Sequence, residues 1–193
     1  MVEKENFKIY KNVKDSIGLY WHYYGGFEAL LKTPYLHFAI ITSLCCFPLW
    51  TKTQAPFWYD FSFSALPNLL GFTLGGYAIL LAFGNEKFLM ILCANDENET
   101  SPFMNVNGAF VHFIVVQAFA LFFSIIAISW ELNNGFVAFV GFTAFLYSLL
   151  TGVAAAFSIL RLGKWYDIFL AAEYKKKLEE EKKNKENARE QNV

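Results

Sequence analysis

Long apolar stretches separated by short polar connections make up the middle of the chain. A helix needs roughly 20 mostly apolar residues to cross a hydrocarbon core about 30 Å thick. Four stretches approach that length, at about residues 34–50, 67–84, 108–130 and 136–160. The first is short unless apolar residues from Phe27 onward extend it. The pattern therefore predicts a four-helix transmembrane domain over residues 34–160.

Prolines and polar residues mark the expected ends of these helices. Thr33-Pro34 and Ser101-Pro102 each place a capping hydroxyl before a proline at the first helical position. Pro67 is expected to open the second span in the same way. The polar residues 131–135 predict a tight turn, so that the third and fourth spans form an antiparallel hairpin.

The two ends of the chain differ from its middle. Residues 1–33 place apolar side chains on one face at helical spacing, which predicts an amphipathic helix in the membrane interface. The alternative is a cytosolic helix packed on another protein segment. Residues 161–193 continue the fourth span and become almost wholly charged or amide-bearing after Tyr174, which predicts a cytoplasmic helical extension. Such a charge run is ordinarily solvated, and the alternative is a docking surface for a cytosolic protein.

Composition agrees with a membrane protein. Of the 193 residues, 55% are hydrophobic and 17% are charged, whereas a soluble domain carries about 25% charged residues. Mean hydropathy is +0.31. The expected fold class is an all-α integral membrane protein with four transmembrane helices, an N-terminal interfacial amphipathic helix and a cytoplasmic C-terminal helical extension.

The basic residues indicate the orientation. Residues 1–34 hold five lysines and residues 161–193 hold nine Lys or Arg, whereas the 51–66 and 131–135 loops contain only Lys52. The positive-inside rule therefore places both termini in the cytoplasm, which four spans permit. The predicted location is multi-pass in the bacterial inner (plasma) membrane. A net charge of −1 gives no basic field for direct nucleic-acid binding.

Residues with catalytic or metal-binding chemistry are sparse. The sequence has no metal-ligand spacing among its three histidines and three cysteines, and no nucleotide, hydrolase or zincin motif. We expect no enzyme, catalytic residue, cofactor or metal. The spans contain no Asp, Glu, Lys or Arg, which disfavours a coupled transporter. The polar residues that are candidates to line a pore are Asn68, Thr73, His112, Gln117 and Ser124. His112 and Gln117 lie about 140° apart on an ideal helix, so they do not form one polar face.

Small residues recur at helical spacing in two spans, where they let helix backbones approach closely in lipid. The second span contains a G-x-x-x-G pair, and the fourth repeats a small residue every four positions. The predicted contact residues are Gly71, Gly75, Gly76, Ala144, Ser148, Gly152 and Ala156. These faces pack either within one bundle or between copies. Two such contact faces are more than one minimal four-helix bundle needs, which leaves one face free to contact another copy. We therefore expect a homo-oligomer.

The run LPNLLGFTLGGYAI at residues 66–79 resembles segments of small uncharacterised bacterial four-span membrane proteins. The plan of four spans with cytoplasmic ends is similar to that of membrane subunits of bacterial anti-phage defence systems such as Kiwa. We therefore predict a non-enzymatic oligomeric inner-membrane component that docks a cytosolic partner through its C-terminal helix, in anti-phage defence. The alternatives are a homo-oligomeric channel or pore, and a small transporter or lipid-handling protein.

Overall fold

The computed structural model describes residues 2–82, 86–93 and 101–190. These residues form helices joined by short connections, and no strand occurs among them. In chain order the helices are α1 (Val2–Tyr24), α2 (Gly26–Lys32), α3 (Pro34–Cys45), α4 (Phe47–Trp50), α5 (Trp58–Ala82), α6 (Glu86–Cys93), α7 (Pro102–Ser129) and α8 (Gly135–Glu190).

Three helices are long and apolar enough to cross a membrane: α5, α7 and the Gly135–Lys185 part of α8. They pack against one another as the centre of a bundle, and α3 packs along α8. The all-helical class is thus confirmed, together with three helices of spanning length.

The first predicted span is interrupted. Residues 34–50 form two helices, α3 with 12 residues and α4 with 4, separated by Cys46. Pro48 accounts for the break because it lacks a backbone N–H and its ring would clash with the Leu44 carbonyl in a continuous helix. At 1.5 Å per residue, α3 is only about 18 Å long, which is shorter than the hydrocarbon core.

The prediction that Pro67 opens the second span is wrong. Helix α5 begins at Trp58, and Pro67 lies inside it. The start is stabilised by Asp60, whose carboxylate accepts a hydrogen bond of 2.7 Å from the backbone N–H of Phe57, as the acidic residue of a capping box does. The predicted end of this span, Gly84, lies outside the described residues.

Helix α7 begins where the sequence indicates. Pro102 is its first residue, and the Ser101 hydroxyl accepts a hydrogen bond of 3.3 Å from the N–H of Met104. Pro34 likewise opens α3, but the side chain of Thr33 makes no capping hydrogen bond there. The two similar motifs therefore share the proline start and not the hydroxyl cap.

The turn between α7 and α8 closes α7 with a Schellman motif. The N–H of Leu132 donates to the Ala127 carbonyl at 2.9 Å, and the N–H of Glu131 donates to the Ile128 carbonyl at 3.3 Å. Glu131 itself has a φ of 52°, in the left-handed region. The predicted tight turn is therefore present and joins two helices that pack side by side.

Trp58 joins the beginning of α5 to this turn. Its side chain is fully buried, and its indole N–H donates to the Leu132 carbonyl at 3.1 Å. Its six-membered ring lies directly on Gly141 of α8, where a β-carbon would overlap it. The next residue, Tyr59, donates to the side-chain oxygen of Asn133 at 2.9 Å. Three helices therefore meet around one tryptophan at this end of the bundle.

Helix α8 is one continuous helix of 56 residues. The predicted fourth span and the predicted C-terminal helix therefore form a single element as far as Glu190. An additional helix, α6, packs mainly against α7 and places Phe88 beside Tyr166 and Phe169 of α8. Lys87 of α6 pairs with Glu173 of α8 at 3.0 Å. That hydrogen bond lowers the pKa of Glu173. From Tyr174 onward, every side chain that the structure describes is exposed.

Candidate functional site

The glycines of the second span occupy two different environments. A β-carbon on Gly76 would lie 3.1 Å from Ile159 and 3.7 Å from Phe110, so Gly76 allows close packing inside the chain. Gly71 and Gly75 are exposed, and added β-carbons would find no atom within 4 Å. The G-x-x-x-G pair therefore lies on an open face of α5 in the described part of the chain.

The small residues of the fourth span mostly pack within the chain. Ser148 and Gly152 are buried, Ala144 is half-buried and Ala156 is exposed. Gly152 lies so close to Leu69 of α5 that a β-carbon would overlap the leucine side chain. Gly152 therefore contacts α5, whereas the Ser148 hydroxyl lies 3.4 Å from the Val116 carbonyl of α7.

Four of the five polar candidates are buried in the bundle, and Asn68 is exposed. Ser124 donates to the Ala120 carbonyl of its own helix at 2.9 Å, whereas Thr73, His112 and Gln117 make bonds between helices. The hydrogen bonds of these four side chains are therefore made inside a single chain. A pore lined by them would have to pass through one chain, not between copies.

Gln117 joins the three spanning helices. Its amide nitrogen lies 3.0 Å from the Thr73 hydroxyl on α5 and 3.3 Å from the Thr151 hydroxyl on α8. Both hydroxyls already donate to carbonyls of their own helices, at 2.9 and 2.6 Å. Each hydroxyl can therefore only accept from the amide, which fixes the orientation of the glutamine. The Gln117 amide oxygen is buried and has no hydrogen-bond partner among the described residues.

His112 joins a different set of helices. Its Nδ1 lies 2.8 Å from the Tyr20 hydroxyl of α1, and its Nε2 lies 2.9 Å from the Tyr147 hydroxyl of α8. The ring of Tyr24 stacks on the imidazole, with centroids 3.5 Å apart and planes within 9°. A neutral imidazole has one donor and one acceptor nitrogen, so one tyrosine donates and the other accepts. Burial and the neighbouring Tyr24 raise the pKa of Tyr20 to about 12, so its hydroxyl stays protonated to a higher pH than that of an ordinary tyrosine.

The cluster holds only the end of α1. Side chains from Lys8 to Leu19 are exposed, and partial burial begins at Tyr20. Gly108 of α7 admits this contact, because a β-carbon there would lie 3.0 Å from the backbone of Tyr23. From Lys8 onward, where the side chains are described, the apolar face that the sequence predicts on α1 is therefore covered only in the last turn of the helix.

Sequence reasoning missed Tyr147 and Thr151. A tyrosine in the middle of an apolar span is a usable signal, because a buried tyrosine hydroxyl ordinarily finds a hydrogen-bond partner. Thr151 carries a weaker signal, since a threonine in a helix can bond to its own backbone. Thr151 donates to the Ser148 carbonyl of its own helix. Its second bond, to the Gln117 amide, forms only because α7 packs beside it, which the local sequence does not indicate.

Two lateral cavities flank Tyr147. The larger, about 600 Å³, is lined by apolar side chains and aromatic rings of α1, α3, α7 and α8. The smaller, about 460 Å³, lies where α3 and α7 begin and is lined by polar and apolar side chains together. We call the smaller one the end cavity. Both are of the size that binds a small apolar or amphipathic molecule.

The buried clusters consist of neutral groups: tyrosines, an imidazole, an amide and hydroxyls. Among the described residues, no group of three His, Cys, Asp or Glu side chains is placed to hold a metal ion. The arrangement joins helices and leaves two cavities beside them. Comparison with protein-family models, with curated proteins and with solved structures finds no match to this chain.

Proposed function

We propose that the protein is a non-enzymatic, homo-oligomeric component of the bacterial inner membrane that docks a cytosolic protein through the C-terminal part of α8. The observation that carries the proposal is the continuity of α8 from an apolar span into a charged segment whose described side chains are exposed from Tyr174 onward. Residues 174–190 would extend about 26 Å beyond the part of α8 that packs in the bundle. We call them the arm.

The proposal includes four membrane crossings with both ends in the cytoplasm. Helices α2 to α4 together would make the first crossing, with interruptions at Thr33 and Cys46. Helix α1 would lie in the inner interface, since its apolar side chains at Tyr10, Val13 and Ile17 are at least 53% exposed. An amphipathic helix with an uncovered apolar face is suited to the boundary between headgroups and acyl chains.

The arm is suited to protein docking because it is both ordered and charged. Isolated helices are marginal in water, but this one extends a helix that the bundle already nucleates. Glu179 and Lys183, like Glu181 and Lys185, stand at the favourable i, i+4 spacing. A partner with complementary charge would therefore meet a preformed helix, which reduces the ordering cost of binding.

Truncation after Tyr174 tests the docking proposal. The truncated chain is expected to stay in carbonate-washed membranes and to lose the partner that the full chain recovers in a pulldown. A matched control replaces residues 175–193 by a Gly-Ser segment of equal length, which keeps the bulk and removes the helix and its charges. Equal recovery by all three proteins would exclude docking through the arm.

The homo-oligomer would use the open Gly71/Gly75 face of α5. Its support is that both glycines are exposed with no atom within 4 Å of an added β-carbon. Gly71→Leu and Gly75→Leu should lower the oligomer mass in nanodiscs. Gly163→Leu is the control, because Gly163 is equally open but lies on α8. An unchanged mass in the Gly71 and Gly75 variants would exclude this interface.

Participation in anti-phage defence rests on the similarity of plan alone and stays a prediction. Plating efficiency of phages on cells that express the protein tests it. A lipid-handling protein is the second candidate, favoured by the two cavities of about 600 and 460 Å³ beside Tyr147. The channel alternative is less favoured, because the buried polar side chains bond to one another within one chain.

A further inference from the structure

The end cavity has a polar end and an apolar end. Thr33, Asn105 and Arg161 line it at the positions where α3 and α7 begin and where the apolar part of α8 stops. Further into the bundle the lining is mostly apolar and includes Ala109, Phe113 and Ala154; Tyr147 and Thr151 also line this part, and their hydroxyls already bond to other groups of the protein. Along α7, Asn105 and Phe113 are separated by about 12 Å. One cavity therefore extends from a cationic side chain into the apolar interior.

We propose that the end cavity binds one anionic phospholipid, with its phosphate at Arg161 and part of an acyl chain beside Phe113 and Ala154. This inference does not depend on the docking of a cytosolic partner. It gives the second candidate function, lipid handling, a defined site and a class of ligand.

Charge supports an anionic headgroup. Arg161 is the first charged residue after Glu131 in the sequence, and it forms no ion pair with a described residue. The described lining of the cavity contains no Asp or Glu to neutralise it. A guanidinium presents its N–H groups in a planar fork that matches the oxygens of a phosphate. The unmatched positive charge therefore fits a phosphate better than a neutral headgroup.

The apolar part of the cavity supports a lipid over a soluble anion. The cavity of about 460 Å³ opens to its surroundings, so a lipid can enter it from the side of the bundle. Water fills a cavity stably only where several polar groups bind it. Ala109, Phe113 and Ala154 offer no side-chain partner, and the hydroxyls of Tyr147 and Thr151 already bond to other groups of the protein. A molecule with a charged head and an apolar tail satisfies both ends of the site.

Lys164 provides a matched control for Arg161. It is exposed, as Arg161 also is, and it follows Arg161 by less than one turn of α8, but it does not line the cavity. Arg161→Gln and Lys164→Gln therefore remove the same charge near the same depth. General attraction of anionic lipid to basic residues would weaken equally in the two variants, whereas a site at Arg161 is sensitive to only one of them.

Native mass spectrometry of the full chain in detergent, titrated with phosphatidylglycerol, tests the site. The wild type and Lys164→Gln are expected to bind one lipid per chain with equal affinity, and Arg161→Gln to bind about tenfold or more weakly. Glycerol 1-phosphate, which has the phosphate without the chains, is expected not to bind. Equal weakening in both variants, or equal binding of glycerol 1-phosphate and phosphatidylglycerol, would overturn the proposal.

Trp165 provides a second readout, because it also lines the end cavity. Phosphatidylglycerol with brominated chains should quench its fluorescence more than brominated phosphatidylcholine does, and Trp165→Phe identifies its share of the signal. Ala109→Leu, which fills the apolar part and keeps Arg161, should reduce that difference while circular dichroism stays unchanged. Equal quenching by the two lipids in the wild type would contradict the site. The chain truncated after Tyr174 retains Arg161 and Trp165, so we expect it to bind the lipid like the full chain. The lipid site and partner docking can therefore fail independently of each other.

Discussion

The Nε2 of His112 and the hydroxyl of Tyr147 lie 2.9 Å apart inside the bundle, on helices α7 and α8. The other ring nitrogen of His112 lies 2.8 Å from the hydroxyl of Tyr20 on α1. One imidazole therefore connects the N-terminal helix to two spanning helices. Since the side chains of α1 from Lys8 to Leu19 are exposed, this cluster determines how firmly α1 is held.

Tyr20→Phe is expected to release the end of α1 without unfolding the bundle. The change removes one hydrogen bond, which is worth about 1 kcal/mol, and keeps the ring. Amide hydrogen exchange in α1 should accelerate about fivefold relative to α7. Tyr10→Phe is the control, because the Tyr10 side chain is 76% exposed. Equal exchange in the wild type and Tyr20→Phe would show that the bond does not hold α1.

Gln117→Leu is expected to be nearly neutral, whereas Gln117→Ala is expected to destabilise the bundle by about 2 kcal/mol or more. The Thr73 and Thr151 hydroxyls keep their bonds to main-chain carbonyls when the amide is lost. Leucine also removes a buried amide oxygen that has no described partner. Reversible unfolding in mixed micelles measures both variants. A loss with leucine as large as with alanine would show that the amide bonds, and not the filled volume, stabilise this region.

Much of the fold follows from local sequence signals. Apolar length located the three helices of spanning length, and Ser101-Pro102 located the start of α7. The same proline rule failed at Pro67, because a helix beginning at Trp58 with Asp60 as its capping carboxylate was already under way. A proline signals a start only where no earlier cap exists. Whether a proline begins a helix therefore depends on the residues that precede it as well as on the proline itself.

The site was harder to predict than the fold. The angle between His112 and Gln117 predicts only that they do not share one polar face. In the structure they bond to different sets of residues, and the sequence does not indicate which helices supply these partners. Gly75 and Gly76 are adjacent in sequence, yet about 100° apart on the helix, so one is open and the other packs on Ile159. Which of the two faces the bundle depends on the arrangement of α7 and α8 around α5.

Gly141→Ala is expected to destabilise the protein by about 1–3 kcal/mol through overpacking. The added methyl group would overlap the ring of Trp58, which is fully buried and bonded to Leu132. Gly163→Ala, on the same helix with no atom near the new methyl, should be neutral or stabilising because alanine favours the helix. Unfolding midpoints of the two variants give the comparison. Equal midpoints would mean that the Trp58 ring moves away at little cost.

Glu131→Gly is expected to stabilise the α7–α8 turn by about 0.5–1 kcal/mol. Glu131 has a φ of 52° at the position after α7 where glycine is ordinarily found. Glycine adopts this conformation without the steric cost that a β-carbon adds. Asn134→Gly in the same turn is the control and should give no gain. The relative unfolding free energies measure the effect, and a loss in Glu131→Gly would show that the glutamate side chain contributes elsewhere.

Lys87→Gln is expected to raise the pKa of Glu173 toward its ordinary value. The Lys87 hydrogen bond is the largest cause that lowers this pKa, and Lys177 and Lys176 contribute less. A lowered carboxylate pKa means that the α6–α8 ion pair stabilises the fold above the unfolded-state pKa and stops doing so as the pH falls through the folded-state value. Because the ion pair is exposed, the difference in unfolding midpoint between the wild type and Lys87→Gln should be small at pH 7 and vanish in acid. Carbon-13 NMR titration of the Glu173 carboxyl measures the shift directly, and Lys176→Gln should move it less. A titration midpoint equal in the wild type and Lys87→Gln would show that the ion pair does not form in the membrane-embedded protein.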